Sequence, residues 1–114
     1  MESILTSTKK LAGLTEEYNH FDPDIIMYIN SVFLVLKQLG VGPSEGFFIQ
    51  TAEELWEDFI IDNAVIREAV KAYMGHKVRL KFDPPANSTL LQALKDSIAE
   101  SEHRLRDEAE FGHI

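Results

Sequence analysis

Two Glu-x-x-His spacings are the pattern in this chain most suited to chemistry, Glu17 with His20 and Glu100 with His103. A pair of such motifs on facing helices of a bundle is the arrangement that holds a di-iron site. At about 100° per residue, however, Glu100 and His103 fall roughly 140–160° from the apolar Ile98, on the solvent side of their predicted helix. Glu17 and His20 lie in a connector that lacks helical geometry. We therefore expect solvated side chains and no metal site.

Other catalytic patterns are missing from the sequence. There is no cysteine and no Gly-x-Ser-x-Gly elbow. Neither His20 nor His76 has a serine and an acid at a spacing that would indicate a catalytic triad. Gly40, Gly42 and Gly46 are not followed by the Lys-Ser or Lys-Thr of a phosphate-binding loop. We expect no enzyme activity and no cofactor.

Composition narrows the function classes further. The 114 residues include 11 Lys and Arg against 19 Asp and Glu, a net charge of −8. A chain this acidic is repelled on average by the phosphates of nucleic acid, so we expect no tight non-specific binding to DNA. The start of the chain lacks the pattern of a signal peptide, and no apolar run is long enough to cross a bilayer. We expect a soluble protein without a membrane partner, made and kept inside the cell.

Helical periodicity predicts an all-α fold, a compact bundle of four to five helices. The clearest helix spans residues 22–39, with Asp22 as N-cap, Pro23 in the first turn and Gly40 closing the end. The other helices are predicted over 3–14, from a capping box at Thr51 to Glu54, from Asp62 to about residue 80, and from Asn87 or Ser88 onward. The first of these carries Ile4, Thr8, Leu11 and Ala12 on one side, and the helix after Asp62 has five residues predicted to face inward: Ile66, Val70, Tyr73, Met74 and Val78. The alternating segment 77–82 could equally be a strand, but the length of the preceding helical pattern favours a helix.

Two segments are predicted to lie outside the helices. Residues 41–46 contain two glycines and a proline, a composition typical of a projecting loop. Residues 107–114 are acidic and then apolar, which indicates a loose C-terminal tail. The chain is thus expected to be one domain over residues 1–106 followed by a tail over 107–114.

Large aromatic residues stand in or beside the Gly/Pro loop. Phe47, Phe48 and Trp56 must either fold back on the bundle or bury against another chain, and the sequence leaves both outcomes open. Aromatic anchors of this kind are typical of interface cores.

Four basic residues could share one face of the helix after Asp62: Arg67, Lys71, Lys77 and Lys81. The favoured interpretation is a solvated face paired with neighbouring acids, and the alternative is a patch that binds a partner.

The order of features along the chain resembles a known family. These features are Lys10-Leu11-Ala12-Gly13-Leu14, Phe21-Asp22, Ile29-Asn30, Leu39-Gly40-Val41-Gly42 and, later, Lys77-Val78-Arg79-Leu80-Lys81-Phe82-Asp83-Pro84-Pro85 before one more amphipathic helix. Together they resemble the head-tail connector proteins, also called adaptor or head-completion proteins, of long-tailed bacteriophages.

The resemblance implies a structural virion protein without a catalytic site. Such a protein forms a homo-oligomeric ring, expected to be a dodecamer, below the portal protein in the neck of the virion. The ring extends the DNA ejection channel and docks a stopper or tail-completion protein, after assembly in the host cytoplasm. In the family the C-terminal segment reaches toward the portal, so the tail with Phe111 and Ile114 becomes a candidate docking arm.

Two expectations join this role to the charges of the chain. Acidic walls repel DNA and so prevent it from adhering to the channel. We therefore expect acids to line the lumen, either those of the last helix or these four: Glu53, Glu54, Glu57 and Asp58. A ring contact joins two different faces, and pairing the basic helix face with an acidic one predicts assembly that weakens with salt. The alternatives are another neck component, or a small acidic regulatory module that binds one partner through its aromatic residues.

Overall fold

Five helices form across residues 2–15 and 19–112, which are the residues that the structure, a computed structural model, describes. They are α1 (Ile4–Leu11), α2 (Asp22–Leu39), α3 (Trp56–Phe59), α4 (Ala64–Phe82) and α5 (Ser88–Glu110). Helix α4 lies at the centre and packs against each of the other four. The prediction of an all-α bundle is confirmed.

The apolar stripe of α4 forms the middle of the core. The five residues predicted to face inward are all buried: Ile66, Val70, Tyr73, Met74 and Val78. The side chain of Asn63, not that of Asp62, caps the helix by accepting a hydrogen bond from the amide of Ile66 at 3.1 Å. The alternating segment 77–82 is helical to its end, because the core stripe continues through Val78.

Helix α1 lies against α4 at a glycine. A Cβ atom added to Gly75 would stand 2.7 Å from the Cβ of Leu11, closer than two carbon atoms can approach. The Cδ1 and Cγ atoms of Leu11 would also stand 3.5 and 3.7 Å from that added atom, so this side chain covers the buried Gly75 although it is itself 51% exposed. The sequence predicted Leu11 on the same side of α1 as the buried Ile4, Thr8 and Ala12, and it lies at the partly exposed edge of that side.

Helix α2 has the predicted bounds and ends at Gly40, whose φ of 91° is the left-handed cap. Its N-cap is Phe21 and not Asp22. The carboxylate of Asp22 accepts a hydrogen bond from Nζ of Lys9 at 2.8 Å, and the Lys9 side chain is only 3% exposed. This buried ion pair joins α1 to the start of α2.

The capping box at Thr51 does not start a helix. The Glu54 carboxylate accepts hydrogen bonds from the amides of Gln50 and Thr51, at 2.7 and 3.1 Å, and so closes a turn. Leu55 then adopts an extended conformation in an antiparallel bridge with Ser3, which prevents a helix from continuing through it. Helix α3 consequently begins only at Trp56.

The loop and the tail are both more closely packed than predicted. Val41 is buried and Gly42 lies against the ring of Phe59, so only Ser44 and Glu45 of the predicted projecting loop are exposed. Residues 107–110 are the last turn of α5, which means that the prediction of a loose tail is wrong for them. Phe111 and Gly112 form a turn, and Ile114 lies outside the described residues.

The contact at Gly75 leads to a stability prediction. Gly75→Ala should lower the free energy of unfolding by about 1–2 kcal/mol, because overpacking costs about 1–3 kcal/mol and exceeds the helix-propensity gain of under ~1 kcal/mol. Urea unfolding measures the change. The exposed Ala72, one turn earlier, is the control: Ala72→Gly should lose only the propensity term. A gain in stability for Gly75→Ala would show that α1 does not approach α4 this closely.

Candidate functional site

Trp56 belongs to the core. Its side chain is 2% exposed, and its Nε1 donates a hydrogen bond to the hydroxyl of Ser7 at 2.8 Å. It cannot reach a neighbouring chain from this position. Of the two outcomes that the sequence left open, Trp56 therefore folds back on the bundle and is not offered to an interface, because the start of α3 turns the residue inward under α1.

Phe47 and Phe48 separate into one inward and one outward ring. Phe47 packs edge-on against Phe33 and Phe59, with ring centroids 5.1 and 5.4 Å apart. Phe48 is 63% exposed. Of the two outcomes that the sequence left open, Phe47 therefore takes the first, and the ring of Phe48 remains available to another chain.

Asn30 holds the backbone beside Phe48, a role that sequence reasoning missed. Its side-chain amide donates to the carbonyl oxygen of Ile49 at 2.9 Å, and its carbonyl accepts from the amide of Ile49 at 2.8 Å. Ile49 itself is 1% exposed. The signal available in the sequence was a polar residue directly after Ile29 within an apolar helical stripe.

An exposed apolar surface surrounds Phe48. Met27 and Leu34 of α2 are 73% and 55% exposed. Leu34 and Phe48 line the same open cleft of about 360 Å³, and Lys37 and Glu45 stand at its rim. We call Met27, Leu34 and Phe48 the anchor surface. At about 100° per residue, Met27 and Leu34 lie roughly 140–160° from the buried Ile29, so this surface faces away from the core.

A second surface lies between α4 and α5. It is an open groove of about 560 Å³, called here the α4–α5 groove, whose lining includes Val65, Ala69 and Ala72 of α4 and Leu105 of α5. Val65 is 78% exposed, and Ala69 and Ala72 are exposed too. Arg104 and Glu108 stand on its α5 side.

A buried hydrogen bond fixes the spacing of α4 and α5. The hydroxyl of Tyr73 donates to the carboxylate of Glu102 at 2.6 Å. Burial, reinforced by this bond to an anionic acceptor, raises the pKa of Tyr73 far above its usual value, so the phenol stays neutral. Burial and the same carboxylate also raise the pKa of Tyr28 on α2. The hydrogen bond thus joins α4 to α5, and the carboxylate of Glu102 lies near enough to Tyr28 of α2 to act on its phenol.

The basic residues of α4 do not form one common patch. Arg67 donates to the carbonyl oxygens of Ile60 and Ile61 at 2.9 and 2.7 Å, and holds the segment that follows α3. Lys71 pairs with Glu2 and Glu68, and the hydrogen bond to Glu2 is the main cause that raises its pKa. Both cations are used within the chain: Lys71 pairs with acids, as in the favoured interpretation, whereas Arg67 binds backbone carbonyl groups instead.

The remaining two basic residues lie further along α4. Nζ of Lys81 stands 5.7 Å from the ring centroid of Tyr28 on α2. Lys77 is half-buried. Since Arg67 and Lys71 bind within the subunit, a salt-sensitive contact through the whole basic face is not supported by this arrangement.

The four acids proposed for a lumen differ in their surroundings. Glu53 is exposed. Glu54 and Asp58 accept hydrogen bonds from backbone amides, Asp58 from Leu55 at 2.8 Å. Glu57 is half-buried, and within the described part of the chain its Oε1 has no hydrogen-bond partner. Burial alone would raise the pKa of Glu54, but the bonds from Gln50 and Thr51 outweigh it and hold the pKa below 4.5.

The Glu-x-x-His motif that lies wholly within the described residues stands on the solvent side of α5. The side chains of Glu100 and His103 are 60% and 72% exposed and pair with Arg104 and Asp107, which confirms that they face solvent. Glu17 lies outside the described residues. No group of three potential metal ligands occurs in residues 2–15 and 19–112. Among the same residues, no helix combines the length and apolar content of a membrane span.

Comparison with known proteins gives one family. The sequence model of a family described as phage connector protein matches residues 4–111. This range contains all five helices of the described structure, together with the anchor surface and the α4–α5 groove. No curated protein and no solved structure matches the chain. The resemblance inferred from the sequence is confirmed at the level of the family.

The Asn30 contact predicts a local loss of order. Asn30→Ala should destabilise the fold by about 2–3 kcal/mol, because it leaves the amide and carbonyl of Ile49 without partners in a buried position. Hydrogen exchange of the Ile49 amide should become faster. Ser31→Ala is the matched control, since Ser31 is exposed on the next position of the same helix. Unchanged exchange at Ile49 in Asn30→Ala would contradict the assignment.

The Glu54 turn predicts a pH dependence. Because its pKa is lowered on folding, the stabilisation from Glu54 is complete above about pH 4.5 and is lost as the pH falls below it. In Glu54→Gln the melting temperature should therefore fall less steeply on acidification from about pH 5 to about pH 3 than in the natural chain. Glu53→Gln removes a neighbouring exposed charge and should leave that slope nearly unchanged. Equal slopes for Glu54→Gln and the natural chain would refute the effect.

Proposed function

The chain belongs to the phage connector protein family, and on that premise we propose that it forms a closed ring below the portal in the neck of the virion. The ring would extend the DNA channel and join the head to the tail. The observation that carries this proposal is the family match, which spans the whole bundle. A connector role at the head–tail junction of a phage follows from membership in the family. The ring and its place below the portal are the finer part of the proposal.

The proposed partners are those of a neck component. They are further copies of the chain, in a dodecamer, the portal protein on one side and a stopper or tail-completion protein on the other. Assembly takes place in the host cytoplasm, and the work of the chain is structural and not catalytic. Genomic DNA passes through the ring without sequence-specific binding.

Two exposed apolar surfaces support the capacity to assemble. A ring needs a heterologous contact, in which one face of a subunit meets a different face of the next. The anchor surface on α2 and the α4–α5 groove are such different faces, built from separate helices. Exposed apolar patches on a folded domain are typical of interaction sites.

The charge of the chain suits a channel for DNA. With a net charge of −8, the ring would repel the phosphates that slide through it. We propose Glu53, Glu54, Glu57 and Asp58 as lumen acids. The backbone bonds of Glu54 and Asp58 keep their carboxylates in place, and Glu53 adds an exposed charge.

The C-terminal end remains the proposed contact with the portal. Phe111 is 73% exposed at the end of α5, and Ile114 follows it in the sequence. Because α5 is helical to Glu110, the docking arm would be the end of a helix and not a long flexible tail.

Native mass spectrometry tests the proposed function. The purified chain is measured alone and then with the portal complex of the same phage. A closed ring of many copies, or a portal complex whose mass rises by a ring of copies, is the expected result. A chain that stays a monomer or dimer beside intact portals would contradict the proposal and favour a small regulatory module.

A further inference from the structure

We propose that the subunits of the ring join through the anchor surface of one copy and the α4–α5 groove of the next. Phe48 would enter the groove between Val65, Ala69 and Ala72 of the neighbouring copy. This inference rests on the proposed ring and names the two faces that form it. The occupant of the groove is therefore a second copy of this chain.

Phe48 is exposed, and its backbone is held in place on both sides. The residue before it, Phe47, packs into the aromatic cluster of Phe33 and Phe59. The residue after it, Ile49, is buried and bound twice by Asn30. A partner that takes up Phe48 thus loses little conformational entropy, and a large apolar side chain of this kind is typical of an interface hot spot.

The anchor surface and the α4–α5 groove face in opposite directions. Lys81 of α4 lies over Tyr28 and so marks the side of α4 that faces α2. At about 100° per residue, Ala72 and Val65 lie roughly 160–180° around α4 from Lys81. The groove therefore opens away from α2, whereas the anchor surface faces outward from α2. Each copy can fill the groove of one neighbour and offer its own groove to another, which is the requirement for a ring.

The anchor surface and the α4–α5 groove are complementary in side-chain size and in charge. The groove presents small apolar residues that leave room for an aromatic ring, in an open volume of about 560 Å³. Its α5 side carries one cation and one anion, Arg104 and Glu108. The cleft beside Phe48 also carries one of each, Glu45 and Lys37. Arg104 already pairs with Glu100 within its own chain, but its side chain is 75% exposed, so Glu45 of the next copy can still approach it while Lys37 approaches Glu108. This complementarity favours a second copy over an unrelated partner.

Two single variants, each with one damaged face, test the pairing. Phe48→Asp removes the anchor but keeps the groove, and Ala69→Arg fills the groove but keeps the anchor. Both positions are exposed, so both variants should fold. Each variant alone should be monomeric. An equimolar mixture should form a dimer and nothing larger, because the only intact contact joins the anchor of Ala69→Arg to the groove of Phe48→Asp.

The absence of cysteine from the chain allows a second measurement. A variant with both Glu45→Cys, beside Phe48, and Arg104→Cys, beside the groove, keeps Phe48 and the apolar lining of the groove, and it should form a ladder of disulfide-linked multimers under mild oxidation. In the control, Leu90→Cys replaces Arg104→Cys, at an exposed position near the other end of α5, and no multimer beyond a dimer should appear. A double variant that also stops at the dimer would overturn the proposed pairing.

The outcomes separate this inference from the proposed function. If the natural chain forms a ring and the mixed variants do not pair, the ring uses other faces and only this inference fails. If Phe48→Asp leaves the ring intact but prevents binding to the portal, the anchor surface serves the portal and the inference is wrong. If the natural chain neither forms a ring nor joins the portal, the proposed function fails as well.

Discussion

The close approach of α1 to α4 at Gly75 is the constraint on which the other contacts of the bundle depend. Helix α1 carries Ser7, whose hydroxyl accepts the hydrogen bond from Trp56, and Lys9, whose buried ammonium binds Asp22. A side chain at position 75 would press on α1 through Leu11 and strain both of these contacts. Trp56 starts α3 and Asp22 starts α2. The absence of a Cβ atom at position 75 therefore allows α1, α2 and α3 to pack around α4.

This packing determines what the surface offers to a partner. Trp56, Phe47 and Ile49 all pack into the bundle, and Phe48 is the large apolar side chain of residues 47–56 that is directed outward. On the far side of α4, the bond between Tyr73 and Glu102 fixes α5 at a distance that leaves an open groove beside it. A rigid projection and a preformed groove, on opposite sides of one small domain, are the features expected of a subunit that repeats around an axis.

Features that depend on neighbouring residues could be predicted from the sequence. The bounds of α2 followed from an apolar stripe with a proline and a glycine at its ends, and the five inward residues of α4 followed from their spacing. The resemblance to the phage connector family followed from the order of such features along the chain. Each of these features lies within a few turns of helix, and the resemblance needed only their order along the chain.

Features that depend on contacts between distant residues could not be predicted. Thr51 and Glu54 have the spacing of a capping box, but pairing of Leu55 with Ser3 removed the helix that the box would have started. Trp56 resembled an interface residue until its bond to Ser7 placed it in the core. Likewise, Arg67 is bound to the carbonyl groups after α3, so its charge is not offered to a partner. The packing of the helices decides which aromatic and basic side chains stay exposed. Only the folded bundle therefore shows which of them a partner can reach.

A cryo-electron microscopy reconstruction of the virion neck would test the central claim most directly. The account predicts a closed ring of copies of this chain directly below the portal, with α2 of each subunit against the α4–α5 groove of the next and Phe48 buried between them. A neck in which the ring below the portal is made of another protein would contradict it, as would a ring of this chain whose grooves remain open to solvent.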